Sequence, residues 1–535
     1  MSIDREHNGK MYLNAIKQFF LVVVFVAILV PFVGMIIFHS EKETSENLSE
    51  FPSLVNENNE WNLLFMSELG TYFEDHYAFR DEIITANSFL RSTLFGQSGT
   101  DQVILGKEGF MFYEGTLNDY FDRDSLSDKE LKNIAHNLFL MQRYLEASGS
   151  DFIFTVAPNK NTLYPQYMPD NYIASTQAHN LERLKPYLDY YGVNYVDLLS
   201  VFQAQTDVLY AKTDSHWTNR GALLAANTLL SAMGRETIDV ATWGHKTRET
   251  GDLYRMVYPC LTGTEKEEYA AGYNDLDGLT GANWGFSNSS QSVEDGFIQT
   301  ESFLPSQENT ENQNENLASD QSDQADITTA ESDTSVEKSN KKLYMYRDSF
   351  ANALIPYIST QFDEATYSKL IPYDAMVAQQ SGADVVVVER AERHLGYPSE
   401  NAPLMPSLAL VGFSDVLARD SQLGKETQFS VEKAGNLLCV KGTLDKALEN
   451  YSDRVIVRLY SEEGIALKTV EAFTVTTEEG NEQGFVAYVS IPEIKTWEKN
   501  NLVQLDQVDI EVSAEKAGAL YGANEKAFSL RAAIR

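Results

Sequence analysis

A chain of 535 residues carries 42 Lys and Arg against 78 Asp and Glu, a formal net charge of −36. Phosphate-backbone binding needs clustered cations, so nucleic acid is excluded as a partner, and electrostatic docking on anionic headgroups is disfavoured. Hydrophobic residues make up 43% of the chain, enough for packed cores, and the length predicts roughly two to four structural units. Only Cys260 and Cys439 are present. They exclude a disulfide framework and a Cys-based zinc site, and leave a single pairing open.

Residues 19–38, Phe19 to Phe38, form an apolar run of about 20 residues, the length of one membrane-crossing helix. Arg5, Lys10 and Lys17 precede it, and Glu41, Glu43 and Glu46 follow. The positive-inside rule puts residues 1–18 in the cytoplasm and all that follows the anchor outside the cell. The run exceeds a signal-peptide core and no small-x-small cleavage pattern follows, so an uncleaved single-pass anchor is favoured over a cleaved leader. Residues 39–60 read as a linker.

From Trp61 to Phe95 apolar residues recur at helical spacing. A strand–turn unit follows, Val103 to Leu105, then Gly106 and Gly109, then Phe110 to Tyr113. Ser127 and Glu130 spell a capping box that opens a helix running to about Gly149. Phe152 to Val156 is a short buried-type strand stopped by Ala157-Pro158. A helix spans about Leu181 to Tyr191, a strand Val193 to Leu198, and a helix Arg220 to Met233. Later come a strand Lys342 to Tyr346, a helix Phe350 to Ser359 and a Val-rich strand Asp384 to Val388. Strands alternating with helices predict an α/β domain with a mostly parallel sheet covered on both faces, over residues 61–420. The ligand site of such a sheet lies beyond the carboxyl ends of its strands.

Residues 287–340 are dominated by Ser, Asn, Gln, Glu, Asp and Thr with no sustained period, and read as a disordered acidic insert acting as a solvated spacer. From 421 to 535 the pattern turns to clustered β-formers, Arg454 to Tyr460, Gly484 to Ile491 and Val508 to Val512, with turn signals between. That predicts an all-β, sandwich-like domain, serving either carbohydrate binding or assembly.

Two short motifs carry possible chemistry. In Thr213-Asp214-Ser215-His216-Trp217-Thr218 an Asp and a His two apart on a turn can project the same way. The carboxylate can then orient the imidazole and stabilise its cation. In Tyr346-Arg347-Asp348-Ser349-Phe350 a strand ends at a serine where a helix begins, with amides nearby to receive an oxyanion. The plainer role for Asp348 or Ser349 is a helix N-cap. Both motifs nonetheless fall where the parallel-sheet rule puts the site. A metal reading that adds His76 or His245 to Asp214 and His216 lacks any recurring ligand spacing.

Taken together, these segments resemble the SGNH-hydrolase-like proteins of the alginate O-acetyltransferase type (AlgX/AlgJ), including relatives named for a DHHW motif. The resemblance rests on Asp75-His76 through Arg80, Leu105 to Tyr113, Ala157-Pro158-Asn159-Lys160 with Tyr164 and Met168-Pro169, the Asp214–Thr218 segment, Gly251-Asp252-Leu253, Arg347 to Phe350 and Asp384 to Arg390. It covers roughly residues 60–400. Ser215 departs from it, standing where many relatives have a second His. The resemblance implies Ser349 as nucleophile, His216 as base and acid, and Asp214 as orienting carboxylate, with no cofactor or metal. Asn159, Lys160, Tyr164, Arg347 and Trp217 are second-tier candidates for oxyanion or substrate contacts, and a structural role is the plainer one for Asn159, Lys160 and Arg347. It further implies acetyl transfer through an acetyl-serine onto a cell-surface polysaccharide, with the acetyl donor supplied by a multipass membrane O-acyltransferase. An acetyl esterase, or a non-catalytic glycan-binding scaffold, remains the alternative.

Overall fold

Along three neighbouring strands successive side chains enter two different apolar layers, the pattern of a sheet buried on both faces. Ile153, Met345 and Val387 point to one layer; Phe154, Tyr346 and Val388 point to the other. The computed structural model describes residues 16–26, 29–31, 33–35, 49–55, 60–123, 125–247, 250–270, 286–292, 297–302, 341–410, 426–451, 454–478, 480–501, 505, 507–516 and 519–528. The chain divides into two units, Met1–Glu114 with Arg248–Glu265, and Gly115–Thr247 with Lys266–Arg535.

In the first unit helix α1, Ile16–Met35, is long and apolar enough to cross a membrane. The expected helical stretch from Trp61 to Phe95 is two helices, α2 (Phe65–His76) and α3 (Arg80–Phe95). They break at Phe79, whose φ of 63° is left-handed and cannot continue a helix. Strands β1 (Val103–Leu105) and β2 (Met111–Tyr113) pair as an antiparallel hairpin, with Gly109 at φ 81° in the turn. Leu253 and Val257, on the helix Asp252–Val257, pack against Val103 and Met111.

The second unit holds helix α4 (Asp128–Ala147), strand β3 (Asp151–Ala157), helix α5 (Asn180–Tyr191), strand β4 (Tyr195–Val196) and helix α6 (Asn219–Ala232). After them come β5 (Trp243–Thr247), β6 (Lys266–Ala270), β7 (Phe286–Ser292), β8 (Phe297–Ser302), β9 (Lys342–Tyr346), β10 (Glu364–Ser368) and β11 (Val385–Ala391). The capping box at the start of α4 is made, with Glu130 N–H donating to Ser127 Oγ at 3.0 Å and Ser127 N–H to Glu130 at 2.8 Å. The central sheet runs β4-β3-β11-β9-β10-β8-β7, parallel from β4 to β10. Layers containing α6 on one face and α4 and α5 on the other cover it, as the alternating elements predicted.

The insert required a correction. Residues expected to be structureless from Ser287 onward form the β7–β8 hairpin, antiparallel to β10. Ile298 and Thr300 are buried against the sheet. An edge hairpin draws its stability from backbone ladder bonds, so a polar composition did not reveal it. Residues 303–340 lie outside the described residues.

Strands β12 (Gln428–Ala434), β13 (Leu437–Thr443), β14 (Arg454–Ser461), β15 (Ala466–Val475), β16 (Gly484–Ser490), β17 (Val508–Lys516) and β18 (Ala519–Phe528) form the all-β half, with helix α7 (Ile491–Asn501). The strands follow one continuous order, β12-β13-β16-β15-β14-β17-β18, bent as a half-barrel. The reason is β15. Its first part pairs with β14 up to Ala472, and its last part, from Phe473, pairs with β16. Ile491 and Ile494 of α7 close the core formed by Val457, Val470, Val489 and Ile510.

This half is also not free-standing. Phe473 and Val475 enter the α/β core beside Leu138 and Met141 of α4. Asn137 Nδ2 donates to the Thr474 carbonyl at 2.8 Å, and Thr474 N–H donates back to Asn137 Oδ1 at 3.2 Å. Thr474 Oγ1 donates to Asn133 Oδ1 at 2.8 Å, and His136 Nε2 lies 2.9 Å from Glu471. Buried, reciprocally satisfied polar contacts of this kind fix one geometry.

Candidate active site

Parallel register decides where the motifs fall. Ala391 pairs with Ala157, and Val388 with Tyr346, so residues 158–160, 347–349 and 389–392 all lie past the same end of the sheet. The Asp-x-His segment reaches that end from a tight loop. Tyr210 and Trp217 bridge, Thr218 N–H donates to the Leu209 carbonyl at 2.7 Å, and Ala211 N–H to that of His216 at 3.2 Å. Thr218 then caps α6 by accepting from Gly221 N–H at 3.2 Å. Gly221 is required there, because a Cβ would stand 2.4 Å from the Leu209 carbonyl oxygen.

Within this loop Asp214 Oδ1 accepts the backbone N–H of His216 at 2.9 Å and faces its Nδ1 at 2.8 Å. One carboxylate oxygen thus sets both the turn and the ring. His216 Nε2 lies 2.8 Å from Ser349 Oγ. With Nδ1–H directed at Asp214, Nε2 presents a lone pair to the serine hydroxyl. The imidazole packs edge-on against Phe350, ring centroids 4.8 Å apart, and Phe350 packs on Trp217 at 4.9 Å.

The serine turn is built on buried carboxylates. Asp348 accepts the N–H of Phe350 at 2.9 Å and of Ala391 at 2.6 Å, tying the end of β9 to the end of β11. Burial works to raise this carboxyl, but the His394 imidazole and the two amides outweigh it and hold it down at about 2. Beneath it, Glu389 accepts the Asp348 N–H at 3.0 Å. Burial and the Asp348 charge push Glu389 well above the usual carboxylate range. The amide of Phe350, first in the helical turn after the serine, is taken by Asp348.

The second-tier residues all make contacts within the protein. Lys160 is buried, and its Nζ donates to the carbonyls of Lys212 at 2.9 Å and Asp214 at 3.0 Å. Tyr164 Oη accepts the Leu209 N–H at 2.9 Å. Trp217 is buried and stacks on Phe202. Lys160 and Tyr164 thus hold the loop that carries Asp214 and His216. Arg347 is buried under the serine turn, donating to Asn352 Oδ1 and, at 3.3 Å, to the Asp348 carbonyl. Asn159 is buried at the end of β3, where its N–H donates to Glu392 at 2.6 Å.

Glu392, like Glu389, is a participant to which the motifs assigned no role, whereas Asp348 makes the cap contact the sequence offered for it. The available signal was acid inside an apolar strand, Glu389 after four valines and Glu392 three residues later. Burial and the neighbouring Asp119 carboxylate push Glu392 up to about 8. A carboxyl whose folded value lies above its unfolded value near 4 binds an extra proton on folding at intermediate pH. Its contribution is therefore full in acid and declines as pH rises towards 8. Chemical denaturation of wild type and Glu392→Gln is expected to show the variant gaining relative stability between pH 5 and 8, by roughly 1–3 kcal/mol. A difference that stays flat across this range would contradict the assignment.

Residues 103–265 match the family described as SGNH hydrolase-like domain, acetyltransferase AlgX, a stretch that includes Asp214 and His216 and stops short of Ser349. A probable alginate O-acetylase AlgJ of Pseudomonas syringae pv. tomato is 29% identical over 171 residues, covering 31% of this chain and 42% of that protein. Its namesake in Pseudomonas fluorescens is 24% identical over 145 residues, covering 26% and 35%. The matched stretch thus spans about two fifths of the length of these curated relatives. Among solved structures, Bacillus cereus PatB1 is similar over 55% of this chain and 96% of its own, at 16% identity and a TM-score of 0.37. The O-acetyltransferase domain of Pseudomonas putida AlgJ is similar over 56% and 93%, at 16% identity and a TM-score of 0.32. Over residues 103–265, then, the chain is similar to the SGNH hydrolase-like domain of the acetyltransferase AlgX.

Proposed function

We propose that this chain is a membrane-anchored, extracytoplasmic O-acetyltransferase that moves an acetyl group onto a hydroxyl of a cell-surface polysaccharide. The observation that carries the reading is the contact series Asp214–His216–Ser349, with 2.8 Å at each of its two links. The matched family's description as an acetyltransferase and the naming of two relatives as O-acetylases support acetyl as the group and a polysaccharide as the acceptor.

In the first half-reaction Ser349 Oγ attacks the acetyl carbonyl carbon while His216 Nε2 takes the hydroxyl proton. The donor's leaving group departs with that proton, and acetyl-Ser349 remains. In the second, a sugar hydroxyl gives its proton to Nε2 and its oxygen attacks the acetyl carbon. Ser349 Oγ leaves and recovers the proton. Asp214 keeps the ring in one tautomer and stabilises the imidazolium that forms in each half. A multipass membrane acyltransferase supplies the acetyl donor in this reading. Helix α1 is the anchor, residues 39–60 the linker, 61–420 the catalytic domain and 421–535 an accessory half.

The test is product analysis on the detergent-solubilised full chain, given p-nitrophenyl acetate and a panel of neutral and acidic oligosaccharides. Acetylated sugar is the expected product. Free acetate as the sole product would replace the transferase by an esterase, since water exclusion and groove shape choose the acceptor.

A further inference from the structure

Helix α3 is turned inside out. At about 100° per residue Ile83, Leu90 and Leu94 fall within about 20° of one line, and Thr85, Ser88 and Ser92 gather on the opposite side. In a soluble helix the apolar stripe faces the core. Here the small polar side does. Ser88 is fully buried, with Gly99 packed so closely that a Cβ on that glycine would overlap its hydroxyl. Thr85 Oγ1 accepts the Cys260 N–H at 3.1 Å. Ile83, Leu90 and Leu94 are 45%, 57% and 66% exposed. No acidic residue lies on their line.

A second observation says what covers this stripe. Ala78, in the corner between α2 and α3, donates its N–H to the carbonyl of Pro31 at 3.3 Å. Pro31 stands in the last two turns of α1, which ends at Met35. The corner from which α3 departs is therefore level with the outer end of the apolar helix. Taking α1 as the anchor proposed above, that level is the headgroup boundary of the outer leaflet.

We propose that α3 lies on the outer leaflet of the membrane that α1 enters, with Ile83, Leu90 and Leu94 inserted just below the headgroups, among the upper segments of the acyl chains. The attachment is apolar burial, as for interfacial amphipathic helices, and needs no anionic lipid. It suits a chain whose net charge is −36. The contact turns a one-point attachment into a two-point attachment.

The test uses the full chain carrying Cys260→Ser, with a single environment-sensitive fluorophore placed through Leu90→Cys or, in a second protein, Leu94→Cys. Both are exposed positions whose replacement leaves the interior intact. Each is reconstituted alone in phosphatidylcholine vesicles, and co-flotation is read first. Failure to float would overturn the anchor and this proposal with it. In floating protein, brominated-chain lipid is expected to lower the emission at least about two-fold, and aqueous iodide to have little effect, as for an acyl-level side chain. Quenching by iodide and not by brominated lipid would show a water-facing stripe and overturn the proposal with the anchor intact. Protection from both quenchers would mean that protein, a second copy or another segment of the chain, covers α3, and would overturn it equally.

Discussion

Ser349→Ala is expected to lower p-nitrophenyl acetate turnover by about 10⁴- to 10⁶-fold, because it removes the hydroxyl that His216 Nε2 is placed to activate. Ser349 is only part-buried and its side chain makes no cap to the turn that follows. Chemical denaturation should therefore place the variant within about 0.5 kcal/mol of wild type. Loss of activity with retained stability distinguishes a nucleophile from a structural hydroxyl. Turnover equal to that of wild type would leave the non-catalytic scaffold as the better reading.

Asp348→Asn should fail in the opposite way, through the fold as well as the chemistry. Both carboxylate oxygens of Asp348 accept amides, Phe350 N–H and Ala391 N–H, at a buried position. An asparagine offers one oxygen and one NH₂, so one amide must face a donor in a dry site. The loss is expected to be about 3 kcal/mol at neutral pH, the scale of a buried bond to a charged group. Because the carboxyl is held below its unfolded value, its stabilisation is present above about pH 4 and fades as pH falls towards 2. The gap between wild type and variant should therefore narrow in acid. The serine turn is displaced with it, so activity should fall as well. A variant as stable as wild type at pH 7 would refute the role assigned to Asp348.

Much of this was legible in the sequence. The parallel core was visible because strands buried on both faces read as unbroken apolar runs, as Val385 to Val388 and Leu343 to Tyr346 do. The triad candidates could be singled out because the strand-end rule and the motif order pointed to one edge. Other features depend on partners far along the chain and left no local trace. The β7–β8 hairpin is made by pairing with β10, and the docking of the β half on α4 is made by Asn133, Asn137 and His136, which look like ordinary helix-surface polar residues. Lys160 reads in the sequence as a second-tier candidate for an oxyanion or substrate contact, with a structural role the plainer one. Its contacts with two loop carbonyls, 2.9 and 3.0 Å away, agree with the structural role and come from residues more than fifty positions along the chain. The bend of the β half depends on β15, which is ten residues long and changes partners midway, and alternation alone does not reveal that change.

Peptide mass analysis of the full chain after brief exposure to p-nitrophenyl acetate tests the central claim most directly. One acetyl increment is predicted on the peptide containing Ser349. It should disappear on addition of the oligosaccharide acceptor, with the same acetyl then found on the sugar. Acetylated sugar formed with Ser349 unmodified, or in the Ser349→Ala variant at the wild-type rate, would contradict it.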